Sequence, residues 1–352
     1  MGPQSRDTGG LDANEDPDDD RRPVRDPAAT ALLEAARSGD RAALARLLTL
    51  VENGGERGRA AASTSYLAGG EVTTIGITGA PGSGKSTLVD RLVGVARSRG
   101  VEKLGVLAVD PTSPFSGGAI LGDRVRMQDH ALDPGVFIRS MATRGHLGGL
   151  ALAVPEAIGV LAAAGTRTVI VETVGVGQVE VEVASQADAT VVVVNPGWGD
   201  SVQANKAGLL EIADIFVINK AERPGTRETR RDLEQMLEMG YAGEHRPAIL
   251  ETVASTGEGI EPLWDAIVEH REHLASRGLL ELRRRERVER ELRRVLVTRI
   301  EVEVERLVAA DGFGALADAV VAREIDPYAA ADEILDSVLA RVRSAHPRDE
   351  RG

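Results

Sequence analysis

The sequence predicts an α/β protein: a mostly parallel central sheet flanked by helices, with helical extensions at both ends. Three observations predict it. Short apolar runs rich in β-branched residues alternate with helical segments between about residues 71 and 255. The first run leads straight into a glycine-rich string and then a helical pattern. The flanking stretches carry apolar residues at helical spacing instead.

In chain order, residues 1–27 are rich in Asp, Gly and Pro and read as a disordered acidic tail. Residues 28–70 form an N-terminal helical segment, with Leu44, Leu47, Leu48 and Val51 on one face. Ser38-Gly39-Asp40 divides it into two helices, and a Gly- and Ser-containing linker leads on to Glu71. Seven runs follow: VTTIGITG, KLGVLAVD, GVFIRSMA, RTVIVETVG, ATVVVVNPG, DIFVINKAE and PAILETVAS. Nearly continuous apolar strands separated by helices imply parallel strands buried on both faces. This sheet domain spans 71–268. Beyond it, 269–352 is helical, with an apolar stripe of Val288, Leu292, Val295, Leu296 and Ile300 and a last helix in DPYAAADEILDSVLARVRS. The stripe must be covered, by the same chain or by a second copy.

Bulk composition excludes several functions. The 352 residues suffice for one substantial α/β domain and a smaller appendage, at about 150 residues per domain. Cysteine is absent, which removes disulfides, thiolate metal sites and Cys nucleophiles. The six His are scattered; His270 and His273 share a helical face and read as solvated. A net charge of −13 argues against nucleic-acid binding, which needs a basic surface. The run RRRERVERELRR is interleaved with Glu and reads as a charged solvent face. No apolar run is long enough to span a membrane and no secretory signal is present, so a cytoplasmic protein is expected.

The chemistry gathers at strand ends, where ligands bind in open α/β sheets. Gly79-x-x-x-x-Gly84-Lys85-Ser86 lies directly after a strand and before a helix, the setting of a P-loop. Its glycines (Gly79, Gly82, Gly84) let successive N–H groups, with that of Ser83, turn toward an anion at a helix N-terminus. Lys85 supplies a charge for the β- and γ-phosphates, Ser86 a hydroxyl for Mg²⁺, and Thr87 lies beside the α-phosphate. Glu172-Thr173-Val174-Gly175 is a variant of D-x-x-G. It places the Gly175 amide toward the γ-phosphate and the Glu172 carboxylate toward Mg²⁺ or its water shell. Asp110 and Asp123, turn formers or caps in another setting, become candidate metal partners beside a P-loop.

Asn219-Lys220-Ala221-Glu222 almost spells the N-K-x-D of a guanine site. Asn219 braces the phosphate loop, the Lys220 stem covers the base, and Glu222 supplies the carboxylate. Glu222 carries it about 1.5 Å farther than an Asp would, one C–C bond. The amide of Ala254, in the Thr252–Ser255 strand end, is the candidate donor to the guanine carbonyl. GTP or GDP with Mg²⁺ is therefore the expected ligand.

Together with VDPTSPFSGGAILGDRVRM, FIRSMATRGHLGGL, VETVGVGQVEVEVA and TVASTGEGI, in this order and spacing, the chain over about residues 28–345 resembles the MeaB/ArgK family. These are GTPase chaperones of adenosylcobalamin-dependent methylmalonyl-CoA mutase, in the signal-recognition/MinD/BioD-like class of P-loop NTPases. The resemblance implies catalytic roles around Lys85, Asp110, Asp123, Glu172 and Gln178, with Asp110 and Asp123 on a mobile switch. It implies a second switch over Glu172–Gln178 and a third over Asn195–Lys206 that communicates with the mutase. It also implies a homodimer formed through the C-terminal arm, and hydrolysis that is slow until the mutase orders the switches. The mutase's identity is left open by Trp198-Gly199 and SVQAN, which depart from the commoner family form. Gln178 and Arg144 are candidate activating groups, with a polar switch residue and a loop-bracing cation as the alternatives. A metal-insertion GTPase, a kinase acting on a transport protein and a scaffold with an inactive nucleotide site are the competing readings.

Overall fold

The computed structural model describes residues 26–110, 130, 132–142, 149–173, 186–197, 212–240, 246–308 and 312–345. Strands β1 (Thr73–Gly79), β2 (Leu104–Asp110), β3 (Val136–Ala142), β4 (Thr168–Thr173), β5 (Ala189–Val194), β6 (Ile215–Asn219) and β7 (Ala248–Thr252) form one sheet in the order β3-β2-β4-β1-β5-β6-β7. All six pairings are parallel. The seven runs read from the sequence are these seven strands.

Side chains one residue apart on a strand face opposite layers. On one face Ile75, Ile77, Val106, Ile170, Val191 and Val217 pack under helices α4 (Lys85–Ser98) and α7 (Ile260–Ser276). On the other, Leu107, Val109, Val169 and Val171 meet α5 (Gly149–Ala163) and the N-terminal helices. Farther along the same side Val192, Val194, Phe216 and Ile218 meet α6 (Thr226–Gly240). The connections after β1 and after β5 leave in opposite directions, so the strand order switches beside the carboxyl end of β1. That crevice is where such a fold binds ligands.

The N-terminal helices are α1 (Pro27–Arg37), α2 (Arg41–Asn53) and α3 (Gly55–Ala68). Asp26 caps α1 through the Ala28 amide, with Pro27 opening the helix; Asp40 caps α2 through the amides of Ala42 and Ala43. The linker expected before Glu71 is instead helix α3. Its glycines and serines made the stretch read as irregular, yet Gly58 serves packing: a Cβ there would stand 2.6 Å from the Leu50 carbonyl oxygen. Close α2–α3 contact offsets the ~1 kcal/mol that a helical glycine costs.

The C-terminal helices are α8 (Leu279–Val308), α9 (Gly312–Val321) and α10 (Pro327–Ala345). Helix α7 runs through residue 268, where the sheet domain was expected to end. His270 corrects another expectation: it is 6% exposed, on the buried face with Leu263, Trp264, Ile267 and Leu274. Its Nε2 lies 3.2 Å from Asp214 Oδ1, so a polar anchor occupies one position of an otherwise apolar helical stripe. The basic run on α8 is also more than a solvated face, since Arg283 reaches the half-buried Asp214 and Arg287 the buried Asp188 at the base of the sheet. The apolar stripe is exposed on this chain, Leu292 at 64% and Leu296 at 60%. Among the described residues no helix is long and apolar enough to cross a membrane. The N-terminal tail to residue 25 and the stretch 198–206 of the expected third switch lie outside the described residues.

Candidate nucleotide site

Strand β1 ends on Gly79 with φ 139, pressed so close to β5 that a Cβ would fall 2.1 Å from the Val193 carbonyl oxygen. No other residue fits there. The chain turns through Gly82 and Gly84, both left-handed, and enters α4 at Lys85. Lys85 Nζ lies back across the loop and donates to the carbonyls of Gly79 (2.6 Å) and Ala80 (3.0 Å). Ser83 is buried in the loop, and Thr87 is exposed on the first turn of α4. The loop thus surrounds a helix N-terminus with a cation at its mouth, an arrangement suited to polyphosphate.

Ser86 Oγ donates to Glu172 Oε1 at 2.7 Å, and both residues are buried. A hydroxyl that gives its proton to a carboxylate keeps its lone pairs for a cation. Two hard oxygens at the edge of a phosphate loop match the donors Mg²⁺ takes alongside phosphate and water, so the residues present fit that ion. Asp110 ends β2, whose Ala108 and Val109 pair with Glu172 and Thr173, bringing its backbone to the same edge. Its side chain is not among the described ones, and Asp123, Arg144, Gly175 and Gln178 lie outside the described residues.

Asn219 ties the base side to the phosphate side. Its Nδ2 donates to the Ser83 carbonyl at 2.8 Å, while its Oδ1 accepts from Thr252 Oγ1 and the Ala254 amide, both at 3.1 Å. Lys220, with φ 60, donates from Nζ to the Gly82 carbonyl at 2.6 Å. The Ala221 amide bonds to the Thr252 carbonyl, and Glu222 follows as an exposed side chain at the rim. One expectation changes. The Ala254 amide, expected to face the guanine carbonyl, is engaged by Asn219, because the β6 and β7 ends are laced together at this point.

Three contributors escaped the sequence reading. Arg91 Nε reaches the Ala254 carbonyl at 3.3 Å from α4 and supports the turn. Thr78 and Thr173, beside Gly79 and Glu172, share a hydrogen bond of 2.9 Å. The sequence signal was polarity: a Thr beside each functional residue, in strands where valine and isoleucine prevail.

Fold and site together define a P-loop protein of the GTPase type. The comparisons agree. The profile of the family described as methylmalonyl-CoA mutase-associated GTPase MeaB matches residues 44–309. The chain belongs to that family. A Pyrococcus abyssi protein, named provisionally as a GTPase, is 50% identical over 316 residues, covering 88% of this chain and 96% of its own length. The GTPase ArgK of Escherichia coli is 40% identical over 256 residues, 70% of this chain and 76% of its own. A crystal structure titled LAO/AO transport system kinase superposes with a TM-score of 0.65 at 27% identity, over 89% of this chain and 98% of that one.

Proposed function

We propose that this protein hydrolyses GTP at the crevice above β1 and uses the nucleotide to gate adenosylcobalamin loading onto an acyl-CoA mutase, which it also protects. The observation that carries the nucleotide part is Asn219, which bonds at once to the phosphate loop and to the turn holding Ala254. The name of the family supports the partner. In this reading the sheet domain 71–268 carries the nucleotide, and the arm 269–352 joins two copies through the exposed stripe on α8.

The P-loop amides and Lys85 hold the phosphates, and Ser86 and Glu172, joined by Asp110 and Asp123, hold Mg²⁺. Mg²⁺ held there would supply positive charge against that of the phosphates. Gly175 and Gln178, three and six positions beyond Glu172, serve the γ-phosphate and its attacking water. Lys85 brings its positive charge to the oxygens where charge grows during transfer, which lowers the barrier without covalent chemistry. Turnover is slow in the free protein, and the mutase completes the site by adding contacts made only in the complex.

Steady-state GTP hydrolysis by the full chain, with and without a purified methylmalonyl- or isobutyryl-type mutase, tests the proposal. Acceleration, together with protection of the mutase from inactivation during turnover, is expected. Hydrolysis with neither effect leaves the GTPase and removes the chaperone role.

A further inference from the structure

The ladder between β1 and β4 leads up to the phosphate loop. It runs from Thr73↔Thr168 to Ile77↔Glu172, whereas β1 stays paired with β5 as far as Gly79↔Val193. Strand β4 stays with β2 as far as Val109↔Thr173. Thr78 and Thr173 are the next positions along the two strands, and β4 is described only as far as Thr173. Two side-chain hydrogen bonds tie β4 to β1 and α4 there. Ser86 to Glu172 crosses on the face covered by α4, and Thr173 Oγ1 to Thr78 Oγ1, at 2.9 Å, crosses one residue farther on, on the opposite face of β4.

We infer that the Thr78–Thr173 hydroxyl bridge is a positioning device that sets the spacing of β1 and β4 beside the phosphate loop, and so the separation of Ser86 from Glu172. Thr78 and Thr173 act through those two residues. The inference rests on the reading of Ser86 and Glu172 as the Mg²⁺ side of a nucleotide site.

Stability alone does not account for the pair. Both threonines are buried, and the β4 positions on the same face are Val169 and Val171. A valine pair would fill the same space, and replacing both partners of a buried hydrogen bond by apolar groups of like shape is close to neutral. Valines would leave the spacing of the two strands at that point to packing alone. Hydroxyls fix one distance there.

The test uses the full chain, with GDP affinity measured by calorimetry in Mg²⁺ and in EDTA. This readout does not depend on turnover. Thr173→Val should weaken the Mg²⁺-linked gain in GDP affinity by about tenfold, the low end for losing a group that orients a metal ligand. Its affinity in EDTA should stay at the wild-type value, because the phosphate cradle is untouched. Thr173→Ser, which keeps the hydroxyl, should restore the Mg²⁺ response. In the double variant Thr78→Val, Thr173→Val the melting temperature should return toward wild type while the Mg²⁺ defect persists. A wild-type Mg²⁺ response in Thr173→Val overturns the inference, as does a defect that disappears in the double variant along with the instability. A wild-type protein whose GDP affinity ignores Mg²⁺ overturns it too. A wild type that binds GDP with Mg²⁺ and shows the bridge effect, yet does not hydrolyse GTP, removes the hydrolytic reading and leaves the bridge in place.

Discussion

Arg287 Nη2 donates to Asp188 Oδ1 at 2.8 Å while the other oxygen of Asp188 accepts the Thr74 amide at 3.1 Å. One carboxylate, its side chain 1% exposed, therefore joins helix α8 to the N-terminal ends of β5 and β1. Asp214 repeats the device one strand along. It accepts the Thr190 amide at 2.9 Å and holds Arg283 at 3.0 Å, with His270 beside it. Burial pushes the Asp214 carboxyl up, but His270 and Arg283 bring it below the usual carboxylate value overall. Each aspartate follows an alanine and immediately precedes a strand, a repeat visible in ADAT and ADIF. The root of the C-terminal arm is thus bolted to the sheet edge opposite the nucleotide crevice.

Asp188→Ala should lower unfolding stability by ~3 kcal/mol, the low end for breaking a buried ion pair, since Arg284 and Arg287 keep partial access to water. Urea unfolding would show a lower midpoint with an unchanged slope. A midpoint equal to wild type would mean that Arg287 contributes nothing there.

Gly79→Ala should abolish nucleotide binding and destabilise the chain. The new methyl would meet the Val193 carbonyl at 2.1 Å, and the φ of 139 admits glycine almost alone. Gly82, with nothing within 4 Å of an added Cβ, makes the contrast: Gly82→Ala meets only backbone strain, of order 1–3 kcal/mol. Calorimetric titration with GDP and thermal melts of the two variants should rank them in that order.

Lys85→Ala should remove turnover and most nucleotide affinity while the fold persists. The side chain bonds to the loop carbonyls of Gly79 and Ala80, and the loop torsions rest on the glycines. Circular dichroism would report the retained fold, and GTP hydrolysis the loss. Wild-type turnover in this variant would show that the chemistry lies elsewhere.

Much of this was legible in the chain. The strands announced themselves because a parallel sheet covered on both faces needs uninterrupted Val and Ile, as in TVIVE and ATVVVV. The phosphate loop was legible because its backbone tolerates little but glycine at fixed steps. Helix α3 was hidden, since local propensity reads Gly58 as a breaker and only the α2 neighbour explains it. His270, Arg283 and Arg287 were hidden for a related reason. Their charges are matched by aspartates 56, 69 and 99 positions away, Asp214 for the first two and Asp188 for the third, and no local pattern carries a contact of that range. The engagement of the Ala254 amide by Asn219 depends on the β6–β7 register, which only the folded sheet defines.

A pH dependence of stability should come from the contact of α5 with α8. Burial, with the charge of Glu291 nearby, raises the Glu156 carboxyl from 4.5 to about 7. Burial also raises Glu291, against the pull of Arg294 and Arg287. The folded chain then holds a proton that the unfolded chain releases near pH 4.5, so stability falls as pH rises from about 4.5 through 7. The fall amounts to at most ~3 kcal/mol. Glu156→Gln should remove that part of the slope and be the more stable protein at pH 8. Parallel stability curves for the two proteins between pH 5 and 8 would refute the assignment.

Glu222 stands exposed at the rim, beyond a Lys220 held in the left-handed region and an Ala221 amide tied to Thr252. The backbone before it is therefore fixed, and its extra methylene has to be absorbed by the side chain or by the turn at Pro224-Gly225. The exposed position leaves the side chain room to do so. On that basis the wild type should bind GTP more tightly than ATP. Glu222→Asp should keep or sharpen the preference by bringing the carboxylate one bond nearer the backbone. Glu222→Ala should lose about tenfold or more of it, the usual value of hydrogen bonds to a charged group. Competition of GTP and ATP against labelled GDP would measure all three ratios. Equal affinities in the wild type would defeat guanine selectivity altogether. An unaltered ratio in Glu222→Ala alone would move recognition from the carboxylate to the backbone of the turn around Ala254 and Ser255.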